Sequence, residues 1–161
     1  MHDEGAAMLG GISGHAGLFG NANDLAKLMQ LYLNDGRYAG RDYIAGNTVS
    51  AYGRCQFCPR NFRALGFDRA SKPGDPNGNA AASVPASSFG HSGFTGTYTW
   101  IDPENQLVYV FLSNRVNPTR ENRKLYQMNV RTDVLEVVYQ AMEGGEGTER
   151  LRDGGTKGRR D

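Results

Sequence analysis

Apolar residues along this chain switch between helical and strand spacing, and the switches mark its elements. From Asn21 onward, Leu25, Leu28, Met29 and Tyr32 fall at i, i+3, i+4 and i+7, which predicts one amphipathic helix. Asn21 starts it, with Asp24 three residues on in a near-capping-box arrangement, and Asn34-Asp35-Gly36 closes it. Arg41 to Tyr52 reads as a connection with a short helix from about Asn47. Three strands in a meander are predicted at about 88–94, 97–102 and 107–113, the last two joined by the turn Asp102-Pro103-Glu104-Asn105. Leu107 to Leu112 is almost wholly apolar, which predicts a central strand covered on both faces. A final helix over about Glu121 to Met142 carries the stripe Leu125, Met128, Thr132, Leu135, Val138 and Met142, placed to cover the sheet.

The intervening stretches are irregular. Residues 1–20 read as a glycine-rich loop, and 53–87 as polar and irregular apart from a short strand at Arg63-Ala64-Leu65-Gly66-Phe67. Lys72 to Asn79 is expected to be a surface loop on its turn chemistry. Tyr98 and Trp100 alternate along their strand and are expected to pack in the core. The domain is expected to span 1–143, with 144–161 a disordered tail, since one large apolar residue is all that stretch offers for burial.

At 161 residues the chain suffices for one ordinary domain with a sizeable core. Its 22 glycines, about twice the usual share, favour tight turns and close backbone approaches over a helix bundle. A net charge of +1 gives no electrostatic reason to expect a nucleic-acid partner. No run is long and apolar enough to predict a membrane span, and Met1-His2-Asp3-Glu4 shows no signal peptide. Cys55-Gln56-Phe57-Cys58 reads as a redox dithiol, half of a zinc site, or a local disulfide. Zinc takes four ligands, a second cysteine pair is absent, and His2, His15 and His91 are scattered.

The densest candidate chemistry lies in Ser88-Phe89-Gly90-His91-Ser92-Gly93-Phe94-Thr95-Gly96-Thr97, where bare backbone sits beside polar side chains. His91-Ser92-Gly93 resembles the Lys-Thr-Gly strand triplet of penicillin-recognising serine enzymes, with histidine in place of lysine. Three further segments are similar to class C β-lactamase-like serine hydrolases, in the same order. They are Met1 to Gly11, Gly14 to Phe19 with the following Asn21 to Leu28, and Leu107 to Arg115, the last resembling the final sheet strand of that family.

The resemblance implies an α/β (α+β) fold with an antiparallel sheet flanked by helices, and acyl-serine hydrolysis of an ester, amide or peptidoglycan-type substrate without a metal or organic cofactor. It implies that the Phe94 N–H is an oxyanion-hole donor, and that His91, Ser92 and Gly93 meet the substrate. Histidine, with a reference pKa of about 6.5, is only partly charged at neutral pH, which favours neutral esters or amides over anionic β-lactams. His2, Asp3, Glu4 and His15 fall in segments that line the site in the family, without an assigned catalytic role. Such relatives are usually exported to the cell envelope.

Two family motifs are absent. No serine here has lysine three residues later, and Tyr32-Leu33-Asn34 fits Tyr-x-Asn by its letters but ends an amphipathic helix, so Tyr32 reads as packing. Ser92, in a strand, lacks the adjacent base and helix dipole that activate a nucleophile. The chain thus resembles the C-terminal part of a serine hydrolase. It is expected to be inactive alone, with the N-terminal part of the same domain as a partner for its open sheet edge. The alternative is a non-catalytic module that binds cell-wall peptide or a protein.

Overall fold

The computed structural model describes residues 3–14, 16–58, 60–71 and 79–153, with side chains to residue 144. The chain begins with a short helix, α1 (Glu4–Met8), where the sequence predicted loop. Asp3 accounts for the difference, since its carboxylate accepts the Ala6 N–H at 2.7 Å and satisfies a donor that a helix start otherwise leaves open. Helix α2 (Ala22–Leu33) starts as expected: Asn21 Oδ1 accepts the Asp24 N–H at 3.0 Å, and Asn21 Nδ2 donates back to the Asp24 carboxylate at 2.8 Å. A ribbon of β1 (Arg37–Tyr38) and β2 (Arg41–Asp42) follows, then α3 (Gly46–Gly53).

The main sheet is antiparallel throughout, in the order β3 (Asp68–Arg69), β4 (Phe89–Ser92), β5 (Tyr98–Asp102), β6 (Leu107–Phe111). Helix α4 (Lys124–Gln127) and the longer α5 (Val130–Asp153) complete the chain. Successive side chains of a strand take opposite faces, and β5 and β6 exploit both. Tyr98, Trp100 and Tyr109 pack with Leu135 and Tyr139 of α5 on one face, while Ile101 and Val108 pack with Met29 and Leu33 of α2 on the other. The result is an α/β fold, an antiparallel sheet flanked by helices. Tyr32 packs at the edge of the α2 cluster, its ring 5.2 Å from that of Phe67.

Three expectations need correction. Strand β6 lies at the end of the described sheet, not at its centre; it is apolar because both of its faces meet helices. The strand expected at 63–67 reduces to a bridge between Arg63 and Asp68, next to the two-residue β3. The final helix is broken: Asn129 adopts φ +51° between α4 and α5, and Met128, expected on the apolar stripe, is 64% exposed. Helix α5 then runs to Asp153, past the Gly144 where the tail was expected to begin. Residues 154–161, and residues 72–78 of the loop expected from Lys72 to Asn79, lie outside the described residues.

Asp102 at the end of β5 is almost wholly buried, so its charge needs partners. It accepts the Glu104 N–H at 2.9 Å, the Asn105 N–H at 3.1 Å, Asn105 Nδ2 at 2.6 Å and the Tyr139 hydroxyl at 2.5 Å. These bonds fasten the β5–β6 turn to α5. Hydrogen bonds to a charged group contribute about 1.5–3 kcal/mol each, so Tyr139→Phe is expected to lower stability by about 2 kcal/mol, read from the urea midpoint. Burial, joined by the Asp102 bond, pushes the Tyr139 hydroxyl above its ordinary pKa, and burial does the same to Tyr98. The unfolded tyrosines lose protons first as pH rises through about 10, so this contribution to stability is present below that pH and declines above it.

Candidate active site

The β4–β5 hairpin builds the site. Gly93 N–H donates to the Thr97 carbonyl at 2.8 Å, closing a three-residue loop of Phe94, Thr95 and Gly96, and Gly96 adopts φ +95°. A glycine in the left-handed region at the third loop position is what such a hairpin requires. Within the loop Gly96 N–H donates to the Gly93 carbonyl at 2.9 Å. A trans peptide directs its N–H opposite its C=O, so tying down the Gly93 carbonyl turns the Phe94 N–H away from the turn. That N–H has no acceptor among the described residues.

Around this donor the backbone is bare where side chains would collide. A Cβ on Gly93 would overlap Thr97 Oγ1, and one on Gly90 would overlap the Thr99 carbonyl oxygen and the Trp100 indole. His91 and Ser92 are the last two residues of β4, so strand alternation sets them on opposite faces. His91 is exposed, and its Nδ1–H donates to the Ser92 carbonyl at 2.8 Å. That bond leaves Nε2 as the acceptor of the neutral ring. Ser92 is half-buried.

A cleft of about 870 Å³ opens beside Phe94, lined also by Asp3, Glu4, Arg115, Arg120 and Tyr126. Arg120 Nη1 meets Glu4 Oε1 at 3.1 Å, joining α1 to the segment after β6. The cleft thus gathers Phe94 with the N-terminal Asp3 and Glu4, while His91 and Ser92 of β4 and the adjoining Gly93 lie outside its lining. His2 and His15 fall outside the described residues.

Arg115 and Tyr126 are site residues that sequence reasoning missed. Arg115 Nε–H donates to the Phe94 carbonyl and to the Tyr126 hydroxyl oxygen, both at 2.9 Å, and the Tyr126 O–H donates to the Phe94 carbonyl at 3.2 Å. Arg115 closes the segment Leu107 to Arg115 that resembles the family's final strand, without a role assigned to it there, and Tyr126 lies one residue after the stripe member Leu125.

Cys55 and Cys58 are bonded to each other, which is the local-disulfide reading of that pair. Among the described residues no three His, Cys, Asp or Glu side chains group as metal ligands, and no helix is long and apolar enough to cross a membrane.

Over 132 residues the chain is 39% identical to proteins of Salmonella typhi, Salmonella newport and Salmonella heidelberg, each described as a putative D-alanyl-D-alanine carboxypeptidase. The alignment covers 78% of this chain and 29% of each relative, so the chain spans less than a third of the length of the curated relatives it matches. Residues 1–131 match the Beta-lactamase family, and the chain belongs to that family.

Proposed function

We propose that this chain forms one wall of the cleft of an acyl-serine hydrolase that acts on peptides of the D-alanyl-D-alanine type or on related esters and amides. The observation that carries the reading is the Phe94 N–H, turned outward by the hairpin and without an acceptor among the described residues. The serine comes from a segment outside these 161 residues. Its Oγ adds to the substrate carbonyl, forming a C–O bond while the π electrons move to oxygen, and the Phe94 N–H stabilises that oxyanion. Collapse breaks the bond to the leaving amine or alcohol, which takes up the proton given up by the serine. Water then attacks the acyl-serine in the same way and frees the acid.

In this reading Gly93 lets substrate lie along β4, Ser92 holds it in the place of the family's threonine, and His91 stands at the position of the family's lysine. A location at the cell envelope fits both the relatives and the Cys55–Cys58 disulfide, a bond that persists in oxidising compartments. The lack of any Ser-x-x-Lys in the sequence favours a second reading, a non-catalytic module that binds such peptides.

Release of D-alanine from a peptide ending in D-Ala-D-Ala separates the two. The chain joined to a Ser-x-x-Lys segment of the family is expected to release it, and the chain alone is not. Binding of the peptide by the isolated chain, without turnover in the joined form, would establish the binding module instead.

A further inference from the structure

A stack of alternating aromatic rings and guanidinium groups runs from the exposed Phe94 into the core. The Arg115 guanidinium lies 4.7 Å from the centre of the Phe94 ring and 4.8 Å from that of Tyr126. On toward the sheet, Arg131 lies 4.7 Å from the Tyr126 ring and 5.4 Å from the Tyr98 ring, and Tyr98 stacks on Trp100 at 5.5 Å with 10° between planes. Arg131 Nη1 is buried with no hydrogen-bond partner among the described residues, so the two ring faces are its main compensation.

Core packing alone does not account for Arg115, because its polar atoms tie loops together. Besides the Phe94 carbonyl and the Tyr126 hydroxyl, its Nη1 donates to the Arg120 carbonyl at 2.9 Å and the Asn122 carbonyl at 3.0 Å. Its own N–H donates to the Thr95 carbonyl at 2.9 Å. A planar guanidinium can stack between two rings while donating in its plane, which a lysine ammonium cannot do.

We propose that Arg115, held between Phe94 and Tyr126, is a positioning residue that fixes the direction of the Phe94 N–H. Two peptide planes flank the Phe94 Cα. Gly96 N–H holds the first through the Gly93 carbonyl, and Arg115 with Tyr126 holds the second through the Phe94 carbonyl. With both planes fixed, the donor is set before substrate arrives, and no reorganisation is spent during reaction. The catalytic side of the inference rests on the reading of Phe94 as an oxyanion donor; the positioning side does not.

Nitrogen-15 relaxation on the 161-residue chain tests it. In Arg115→Lys the order parameters of the Phe94 and Thr95 amides are expected to fall from the rigid range, about 0.85, to below about 0.6, with the Trp100 and Tyr109 amides unchanged. Tyr126→Phe keeps the ring and deletes one donor to the Phe94 carbonyl, so a smaller drop at the same two amides is expected. It also serves as the test if Arg115→Lys does not fold. A Phe94 amide as rigid as in the parent would overturn the proposal. In the chain joined to a Ser-x-x-Lys segment, Arg115→Lys is expected to lower kcat about tenfold with KM little changed. A loosened amide with kcat unchanged would leave positioning intact and sink the donor role of Phe94, so the two failures are distinguishable.

Discussion

Phe94→Pro is expected to slow acyl transfer by about 100- to 1000-fold in the chain joined to a Ser-x-x-Lys segment, the loss typical of removing one oxyanion donor. Proline deletes the N–H and little else of the backbone. Phe94 is the second residue of a turn closed by the Gly96 N–H on the Gly93 carbonyl, the position where proline is most at home. No backbone bond is lost, because the Phe94 N–H has no acceptor among the described residues. Proline also removes the ring that stacks on Arg115, so Phe94→Ala is the control: it keeps the N–H, loses the same ring, and is expected to cost about tenfold. Steady-state kcat for the two variants checks this. Equal losses would mean that the ring matters and the N–H does not.

Gly90→Ala is expected to destabilise the fold by about 3 kcal/mol, the upper end for forcing one extra carbon into a packed site. The overlapped atoms explain the size. One is the backbone carbonyl of Thr99 on the paired strand; the others belong to the Trp100 indole, which is 1% exposed. Neither can swing aside. The indole is also held by its Nε1–H, which donates to Ser88 Oγ at 2.9 Å. Relief therefore has to come from separating β4 from β5, the pair that carries His91 and the Phe94 loop. Urea unfolding followed by tryptophan fluorescence reads this directly, since Trp100 is the single tryptophan. A change below about 1 kcal/mol would mean that the strands separate easily.

Much of this architecture was legible in the sequence, because period and capping are local signals. Asn21 and Asp24 announced α2, and the apolar run from Leu107 to Leu112 announced a strand with two covered faces. Strand order was not legible: an apolar run such as Leu107–Phe111 reports that both faces are covered, and says nothing of how many neighbours its edges have. The break at Asn129 was hidden because the stripe from Leu125 to Met142 keeps helical spacing across it, while the left-handed φ that interrupts it leaves no mark in hydrophobicity. Helix α1 was hidden by the glycines around it, although Asp3 before Glu4-Gly5-Ala6 is a capping signal.

At the candidate site, resemblance pointed to His91-Ser92-Gly93-Phe94, and the hairpin gives Phe94 an outward N–H. Arg115 and Tyr126 were beyond the reach of sequence because their contacts with Phe94 span 21 and 32 residues, a proximity that only the fold creates.

The most direct test of the central claim, that this chain is a wall of a serine hydrolase whose nucleophile lies elsewhere, is labelling with a fluorescent fluorophosphonate. The chain joined to a Ser-x-x-Lys segment is expected to be labelled at that serine, and the 161-residue chain alone is expected to remain unlabelled. Labelling of the chain alone would contradict the account and make Ser92 the first residue to replace.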